Sequence, residues 1–551
     1  MSAVSTPARR SVLNPLTLAL LASLWIASVA NWPLWRALVG LPEMASARGA
    51  LFIVAFGVAV AALTLLMLAF FAWRHTVKPV VALFLVAAAF GAHFMGTYGV
   101  VIDPSMMVNV LQTDARETRD LLSLRMLVSV LLLAGLPLWW LWRVELKPAP
   151  GWRQLGRNTL AIAGAACVIV AIVVALFADL SATMRNHKSV RYLINPLNSF
   201  FALGVVATHA GTQPAGPPAP IGADARVLPR PAGAKPPLLL FVVGETARAD
   251  HFSLNGYARP TNTELATLPL VSFTDVTSCG TSTAASLPCM FSHLGRKGFN
   301  DRERDHENLL DLLSHAGLAV LWLDNQAGCK GLCERVPNAQ AGEPVQGRRE
   351  LPEGLCDGTE CFDEALLRGL DQRLAALPQA RRDKGVVIVL HQMGSHGPAY
   401  YKRSPPAFKR FQPECTTNVL QQCAGDALIN AYDNSIAYTD HVLAQAVSWL
   451  QSQSAHHDPA LLYVSDHGES LGENNLFLHG LPYAVAPRDQ THVPMLLWVP
   501  AQHAARLACL QSRRDAPASH DNLFHTVLGL VGVTASEYKP ALDLTHGCAA
   551  P

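Results

Sequence analysis

Residues 238–250, LLLFVVGETARAD, decide the fold of the larger part of this chain. A short, uninterrupted apolar run that stops abruptly at Gly244 and Glu245 is typical of a buried parallel strand that ends in a turn. In open α/β sheets, ligands bind at the carboxyl ends of such strands. The sequence therefore predicts that Glu245 lies where a functional site is usually built.

Two later apolar runs end in the same way. Residues 386–390 lead directly into His391, and residues 461–465 lead into Asp466 and His467. Carboxylates and imidazoles that meet at one edge of a sheet form a ligand set that zinc accepts, and manganese or magnesium also bind oxygen-rich sites. The three strand ends therefore predict a metal site.

Apolar strands alternate with helical patterns throughout the second part of the chain, which predicts an α/β sheet with helices on both faces. The predicted strands cover residues 238–243, 319–323, 386–390, 461–465 and 495–499. The predicted helices cover residues 307–315, 362–377, 427–451 and 520–530.

The first third of the chain is strongly apolar, and only 15% of the 551 residues are charged. Five stretches are long enough to cross a bilayer, namely residues 14–34, 49–72, 79–99, 126–142 and 158–178. A cleaved signal peptide is the alternative for the first stretch, but no small-residue cleavage site followed by a soluble region is present. The net charge of +2 and the lack of a recognition motif argue against a nucleic-acid partner.

Lysine and arginine in the short loops give the orientation of these spans. Arg9 and Arg10 precede the first span, and further basic residues lie in the second and fourth loops. By the positive-inside rule these regions are cytoplasmic, so everything after about Asp179 lies across the membrane. We therefore expect a membrane domain at residues 1–180, an amphipathic segment and Pro/Gly-rich linker at 181–236, and a catalytic domain at 237–551.

Ten of the eleven cysteines fall within the predicted catalytic domain. An even set in a domain placed outside the cytoplasm suggests disulfides. Close spacing makes 279–289, 329–333, 356–361 and 415–423 the natural pairs, which leaves 509 with 548. A cysteine-ligated zinc site is the alternative, but the sequence has no CxxC pair with a matching partner.

A turn rich in hydroxyl groups precedes an apolar helix in TSCGTSTAASLPCMF, residues 277–291. A hydroxyl at a helix N-terminus faces unpaired N–H groups and the positive end of the helix dipole, which suits phosphate binding. Metal coordination would make such a hydroxyl nucleophilic, whereas the alternative is an ordinary N-cap. The residues alone leave Thr281, Ser282 and Thr283 as candidates.

Three histidines near the strand ends could bind a second metal, hold a phosphate or protonate a leaving group. They are His391, His396 and His479. In the loop between the third and fourth spans, Asn109, Thr113 and Glu117 recur every four residues, as they would along one face of a helix. The simplest interpretation of that face is that it is solvated.

Four motifs together resemble one enzyme family. They are VVGETARADHFSLNGY at 242–257, SCGTSTAASLPCMFS at 278–292, LHQMGSHGPAYY at 390–401 and SDHGESLGENNLFLHG at 465–480. The chain closely resembles the lipid A phosphoethanolamine transferases, which include intrinsic polymyxin-resistance enzymes and mobile colistin-resistance proteins. The resemblance covers nearly the whole chain and implies five transmembrane helices, a bridging segment and a periplasmic domain of alkaline-phosphatase/sulfatase-like fold.

The resemblance also implies roles for individual residues. It makes Thr283 the nucleophile, and it makes Glu245, Thr283, Asp466 and His467 the ligands of one zinc ion. A second zinc ion or the substrate phosphate would be held by His391, His396 and His479. Lys330 would hold the donor head group. The lipid-side part of the site would be lined by Asn109, Thr113 and Glu117.

The implied reaction transfers phosphoethanolamine from phosphatidylethanolamine to a lipid A phosphate through a covalent intermediate on threonine. Less negative charge on lipid A would weaken the binding of cationic peptides such as polymyxin and colistin. The expected protein is a monomer in the bacterial inner membrane, in contact with its lipids, with its catalytic domain in the periplasm. The alternatives are another acceptor such as a lipopolysaccharide core sugar or a periplasmic glycan, a sulfatase or phosphoglycerol transferase of the same fold, and an inactive lipid-binding sensor.

Overall fold

The computed structural model describes residues 12–113, 115–187, 189–212, 216–344, 351–357 and 360–548, without the side chains of 115–117 and 209–212. Arg9, Arg10 and the side chain of Glu117 therefore lie outside the described part. The chain divides into two compact units, Met1–Met107 with Leu122–Ala207, and Val108–Leu121 with Thr208–Pro551. The segment Val108–Leu121, in the loop between the third and fourth spans, thus groups with the second unit although spans flank it in the sequence.

The first unit is built from membrane-spanning helices, as predicted. Four helices of the described residues are long and apolar enough to cross a membrane, and they are Ala47–Phe70, Val77–Tyr98, Leu124–Arg143 and Gly151–Ala175. Pro15–Ser28 and Trp32–Val39, which are bent by 44° relative to each other, make a fifth crossing if they count as one span. Two further helices, Phe177–Asn186 and Leu197–Thr212, follow the last span.

The bend in the first span has an identifiable cause. Pro33 lacks an N–H and restricts the residue before it, so the helix cannot continue regularly through this point. Side chains then satisfy the carbonyls at the end of the first segment. Asn31 Nδ2 donates to the carbonyl of Ile26 at 2.8 Å, and Trp35 Nε1 donates to that of Ala27 at 2.9 Å.

The fourth span contains a second proline, Pro137, which removes the N–H that would bond the carbonyl of Leu133. Trp25 Nε1 from the first span donates to that carbonyl at 3.0 Å. The segment Leu131–Gly135 widens into a π-helical turn at this point. The helix therefore stays continuous because a neighbouring side chain replaces the missing donor.

The second unit is organised around a seven-stranded sheet. Its strands are β1 Pro237–Gly244, β2 Leu270–Phe273, β3 Ala319–Asp324, β4 Asn338–Gln340, β5 Val386–His391, β6 Asp458–Ser465 and β7 Met495–Trp498, in the spatial order β2-β7-β6-β1-β5-β3-β4. The strands from β6 to β4 are parallel, whereas β7 runs antiparallel to both β6 and β2. All five predicted strands are present, and the edge strands β2 and β4 were not predicted because each has only three or four residues.

The register of the parallel strands aligns their carboxyl ends. Gly244 of β1 pairs with Ser465 of β6, and Val243 pairs with His391 of β5. His391 in turn pairs with Asp324 at the end of β3. The residues that follow these strands are therefore brought together at one edge of the sheet.

Helices cover this sheet, and the helices predicted at 307–315, 427–451 and 520–530 are present. The described helices include Thr283–Met290, Gly295–Asn300, Leu309–His315, Leu370–Ala376, Gln379–Arg382, Gly425–Ser452, Ala504–Gln511 and Leu523–Val531. Two structural predictions were wrong. The helix predicted at 362–377 is a 3₁₀ turn, Asp363–Leu367, separated from Leu370–Ala376 by Gly369, whose φ of 70° cannot continue a helix.

The predicted helical face at residues 109–117 was also wrong. One helix, Pro104–Gln112, ends before Thr113, and a second, Ala115–Leu121, begins after it. The hydroxyl of Thr113 donates to the carbonyl of Asn109 at 2.9 Å and so competes with the backbone for that acceptor. The helix that carries Asn109 therefore ends before Thr113, and the side chain of Glu117 lies outside the described residues.

The five cysteine pairs expected from spacing are confirmed. The disulfides join Cys279 to Cys289, Cys329 to Cys333, Cys356 to Cys361, Cys415 to Cys423 and Cys509 to Cys548. All of them belong to the second unit. They close loops around the sheet and restrict the unfolded chain.

We expect Trp25→Phe to lower the free energy of unfolding of the membrane unit by about 1–3 kcal/mol, because the carbonyl of Leu133 would lose its donor. Denaturant unfolding of the full chain in detergent measures the loss. Trp140→Phe, at a tryptophan that is 37% exposed, makes the same chemical change elsewhere and serves as the control. Equal losses in the two variants would assign the effect to ring size and not to the hydrogen bond.

Candidate active site

A compact cluster of metal-ligand side chains lies at the carboxyl edge of the sheet. Glu245 follows β1, and Asp466 and His467 follow the adjacent strand β6. Each of the three offers a ligand atom, and these atoms lie within 4.8 Å of one another. All three residues are fully buried. The structure thus brings together the residues that the strand ends predicted.

Thr283, the first residue of the helix Thr283–Met290, points into this cluster. Its Oγ1 lies 3.1 and 3.0 Å from the two carboxylate oxygens of Glu245 and 3.4 Å from His467 Nε2. The hydroxyl of Thr281 instead donates to the carbonyl of Leu481 at 2.7 Å. Of the two threonines, Thr283 is the one whose hydroxyl faces the carboxylate.

The donor atoms fit a metal ion. His467 Nδ1 donates to the carbonyl of Gly468 at 2.8 Å, which orients Nε2 towards Glu245 Oε1 at 3.3 Å and Asp466 Oδ2 at 3.5 Å. Asp466 Oδ1 accepts the N–H of His467 at 2.8 Å, whereas its buried Oδ2 has no hydrogen-bond partner among the described residues. A buried carboxylate oxygen without a donor is costly, and coordination to a cation would satisfy it.

The pKa shifts of the cluster residues also indicate a site that needs positive charge. Burial and the negative charge of Glu245 raise the pKa of Asp466 to about 6. Burial alone would lower the pKa of His467, but the charges of Asp466 and Glu245 outweigh it and raise that pKa to about 10. Two buried carboxylates therefore demand a nearby positive charge, which either a proton on His467 or a metal ion can supply.

The backbone after β1 is strained where it presents Glu245. Thr246 has a φ of 52°, an unusual conformation for a β-branched residue. The hydroxyl of Tyr432 donates to the carbonyl of Thr246 at 2.7 Å and accepts the N–H of Arg248 at 2.9 Å. On the other side, a side chain at Gly394 would come within 2.7 Å of the Glu245 carbonyl, so only glycine fits there. Backbone contacts on both sides therefore hold the Glu245 carboxylate in place.

His391 lies beside the cluster at the end of β5. Its Nδ1 is 3.1 Å from Asp324 Oδ2, and its buried Nε2 lacks a hydrogen-bond partner in the described part of the chain. Burial opposes the charge on His391, but the neighbouring Asp324 carboxylate prevails and raises the pKa of the imidazole. Asp324 was not predicted as a site residue, although it directly follows the predicted strand 319–323 and so ends a strand in the same way as Asp466 does.

His396 and His479 complete a set of three histidines around the cluster. Their ring centroids are 5.8 Å apart, and the ring of His479 lies 4.4 Å from that of His467. Glu469 Oε2, which is fully buried, lies 3.3 Å from His479 Nδ1. Burial lowers the pKa of His396 to about 3, so this imidazole is neutral at physiological pH.

The roles in substrate binding that the resemblance implies for Lys330, Asn109, Thr113 and Glu117 stay predictions. Lys330 Nζ donates to the carbonyls of Gln112 at 3.3 Å and Ala327 at 3.4 Å. Within the described residues, no hydrogen bond joins Lys330, Asn109 or Thr113 to the carboxylate cluster. The side chain of Glu117 lies outside the described part of the chain.

Two further residues contact the cluster and were not predicted. Gln326 Nε2 donates to Glu245 Oε2 at 3.0 Å, and Ser286 Oγ donates to the carbonyl of Asp466 at 2.5 Å. Ser286 lies one helical turn after Thr283, so helical spacing would have placed it on the same face. Gln326 follows a strand end by two residues, and its contact depends on the loop conformation.

Comparisons with known proteins agree with this architecture. Residues 237–533 match the sulfatase family, and residues 59–210 match the family described as phosphoethanolamine transferase EptA/EptB. Phosphoethanolamine transferase EptA of Salmonella typhimurium is 39% identical over 98% of both chains. Phosphatidylethanolamine transferase Mcr-2 of Escherichia coli is 38% identical over 96% of this chain and 97% of that protein.

A solved structure extends the match to three dimensions. The integral membrane protein lipooligosaccharide phosphoethanolamine transferase A from Neisseria meningitidis superposes with a TM-score of 0.91 at 33% identity, covering 98% of this chain and 100% of that one. The predicted helical membrane domain and sulfatase-like catalytic domain are therefore confirmed. The family match, the near full-length identity to relatives and the shared fold show that this chain belongs to the EptA/EptB family of phosphoethanolamine transferases.

Proposed function

We propose that this chain transfers phosphoethanolamine from phosphatidylethanolamine to a phosphate group of lipid A, through a covalent intermediate on Thr283. The observation that carries the proposal is the position of Thr283 Oγ1, which lies 3.0 Å from Glu245 Oε2 in the carboxylate cluster. The printed names of the relatives support phosphoethanolamine as the transferred group. The span count and the basic loops support placement of the enzyme in the inner membrane, with its catalytic unit in the periplasm.

We assign one zinc ion to Glu245, Thr283, Asp466 and His467. Two carboxylates, an imidazole and a hydroxyl form a set that zinc accepts. Asp466 Oδ2, which has no hydrogen bond among the described residues, supports a cation at this point. When bound, zinc supplies positive charge that lowers the pKa of the threonine hydroxyl and offsets charge on the phosphoryl oxygens. The three surrounding histidines would bind the phosphate or a second zinc ion.

In the first half-reaction, Thr283 Oγ1 attacks the phosphorus of phosphatidylethanolamine. Glu245 accepts the hydrogen bond of that hydroxyl in the structure and is placed to receive its proton. A bond forms between Oγ1 and phosphorus, and the bond from phosphorus to the glycerol oxygen breaks. The departing oxygen takes up a proton and diacylglycerol leaves. His479, whose Nδ1 lies 3.3 Å from Glu469 Oε2, is a candidate donor of that proton.

In the second half-reaction, an oxygen of a lipid A phosphate attacks the phosphorus of the intermediate. The bond to Thr283 Oγ1 breaks, and the threonine hydroxyl regains a proton. The product carries an ethanolamine ammonium group that offsets the anionic charge of lipid A. Weaker attraction for cationic peptides would then give resistance to polymyxin and colistin.

Thr283→Ala should reduce transfer by about 10³-fold or more and abolish the covalent adduct, because no nucleophile remains. Intact-protein mass spectrometry after incubation with phosphatidylethanolamine measures the adduct. Thr281→Ala, which removes the hydroxyl that faces Leu481, is the matched control and should retain adduct formation. An adduct of the same mass on Thr283→Ala protein would reject Thr283 as the nucleophile.

Chelation should remove activity, and added zinc should restore it. Asp466→Asn should also lower bound zinc, because the substitution removes the carboxylate oxygen that has no hydrogen bond within the described part of the chain. Elemental analysis of the purified protein gives the metal content independently of activity. Asp275→Asn serves as the control, because this half-exposed carboxylate pairs with Arg488 at 2.9 Å and is not one of the proposed ligands. Full zinc content in both variants would contradict the assignment.

Expression of the protein in a polymyxin-sensitive bacterium should add phosphoethanolamine to lipid A and raise polymyxin tolerance. Mass spectrometry of isolated lipid A identifies the product, with the Thr283→Ala variant as the inactive control. Unmodified lipid A together with a modified core sugar or periplasmic glycan would keep the chemistry but replace the acceptor.

A further inference from the structure

A second polar network joins the catalytic unit to the loop between the third and fourth spans. Asp120, in the helix Ala115–Leu121, is buried, and its carboxylate pairs with Lys402 Nζ and, at 2.9 Å, with Arg403 Nη2. The carbonyl of Asp120 accepts from Asn418 Nδ2 at 2.6 Å. These residues all belong to the second compact unit, so the loop helix is part of the catalytic unit by its contacts.

Arg403 uses separate edges of its guanidinium for three different acceptors. Nη2 donates to Asp120 Oδ2 at 2.9 Å, Nη1 donates to Glu360 Oε2 at 3.0 Å, and Nε donates to the carbonyl of His396 at 2.9 Å. The side chain is only 4% exposed. Because the guanidinium is planar and its donors are rigidly arranged, the two carboxylates fix where Nε points.

The acceptor of Nε belongs to the active-site wall. His396 follows Gly394 and Ser395, and the Ser395 N–H donates to the carbonyl of Glu245 at 3.0 Å. The ring of His396 packs against that of His479, with centroids 5.8 Å apart. A shift of the His396 backbone would therefore move an imidazole that borders the cluster.

We propose that Asp120 is a positioning residue for the transfer reaction, and that it acts through Arg403 on His396. This inference rests on the proposed function and adds a residue to it. Removing the Asp120 charge leaves a buried guanidinium with only one of its carboxylate partners, so Arg403 re-aims towards Glu360 and solvent. Nε then loses its alignment with the His396 carbonyl, and the imidazole moves relative to the phosphoryl group.

The loop between the third and fourth spans thus helps to position an active-site histidine. Asp120 lies 283 residues before Arg403 in the sequence, and yet both are buried against each other. The helix Ala115–Leu121 therefore supports the backbone of His396 through Arg403. Displacements of a catalytic group by about 1 Å cost on the order of a hundredfold in rate, so a modest loss of alignment is measurable.

The test uses the purified full-length enzyme in detergent, with phosphatidylethanolamine as donor and lipid A as acceptor. Asp120→Asn should lower kcat by about tenfold with little change in KM and with full zinc content, whereas Asp120→Glu should recover part of the loss. Arg403→Lys keeps the charge but loses the Nε donor, and it should show a similar loss. Asp275→Asn breaks an exposed 2.9 Å pair with Arg488 and should leave the rate unchanged.

A double-mutant cycle separates positioning from a merely structural role. If Asp120 acts through His396, Asp120→Asn should cause no further loss in a His396→Ala background. Multiplicative losses in that cycle, or wild-type kcat in Arg403→Lys, would overturn the inference. Loss of zinc or of the folded state in Asp120→Asn and Asp120→Glu alike would also overturn it, since the role would then be structural. Absence of transfer by the wild-type enzyme would instead reject the proposed function.

Discussion

Two carboxylates buried beside each other impose the main constraint on this protein. Glu245 and Asp466 are both fully buried, and mutual repulsion would favour protonation of one of them unless a cation is present. The imidazole of His467, the hydroxyl of Thr283 and Asp466 Oδ2 lie close together, around the place where that cation would bind. The same positive charge that makes the folded site tolerable would also make a threonine hydroxyl a nucleophile.

The sheet makes this arrangement possible because parallel strands end at one edge in register. The pairing of Gly244 with Ser465 sets Glu245 beside Asp466, so the strand register itself brings the two carboxylates together. The left-handed Thr246 and the close approach of Gly394 then aim the carboxylate. The strained conformation of Thr246 is maintained because the Tyr432 hydroxyl, on the long helix Gly425–Ser452, donates to the Thr246 carbonyl.

Support for the site extends well beyond the groups that would touch the reacting phosphorus. Asp324 orients His391, Glu469 orients His479, and Arg403 holds the backbone of His396. Each of these contacts joins a histidine to a buried charge, so the imidazoles are held in one orientation before substrate arrives. The loop helix that carries Asp120 contributes to this support although membrane spans flank it in the sequence.

Local patterns in the sequence determined the membrane spans, the five central strands, the disulfide pairs and the strand-end residues Glu245, Asp466 and His467. They did so because hydrophobic runs, their abrupt ends and cysteine spacing depend on neighbours in the chain. Tertiary structure alone decided which hydroxyl faces Glu245, that Gln326 reaches it, and that Asp120 pairs with Arg403. It also broke the predicted helix at Gly369 and the predicted face at Thr113, because backbone conformation and side-chain competition there outweigh periodicity. Contacts between distant segments leave no periodic signal, since they depend on how the strands and loops come together in the folded chain.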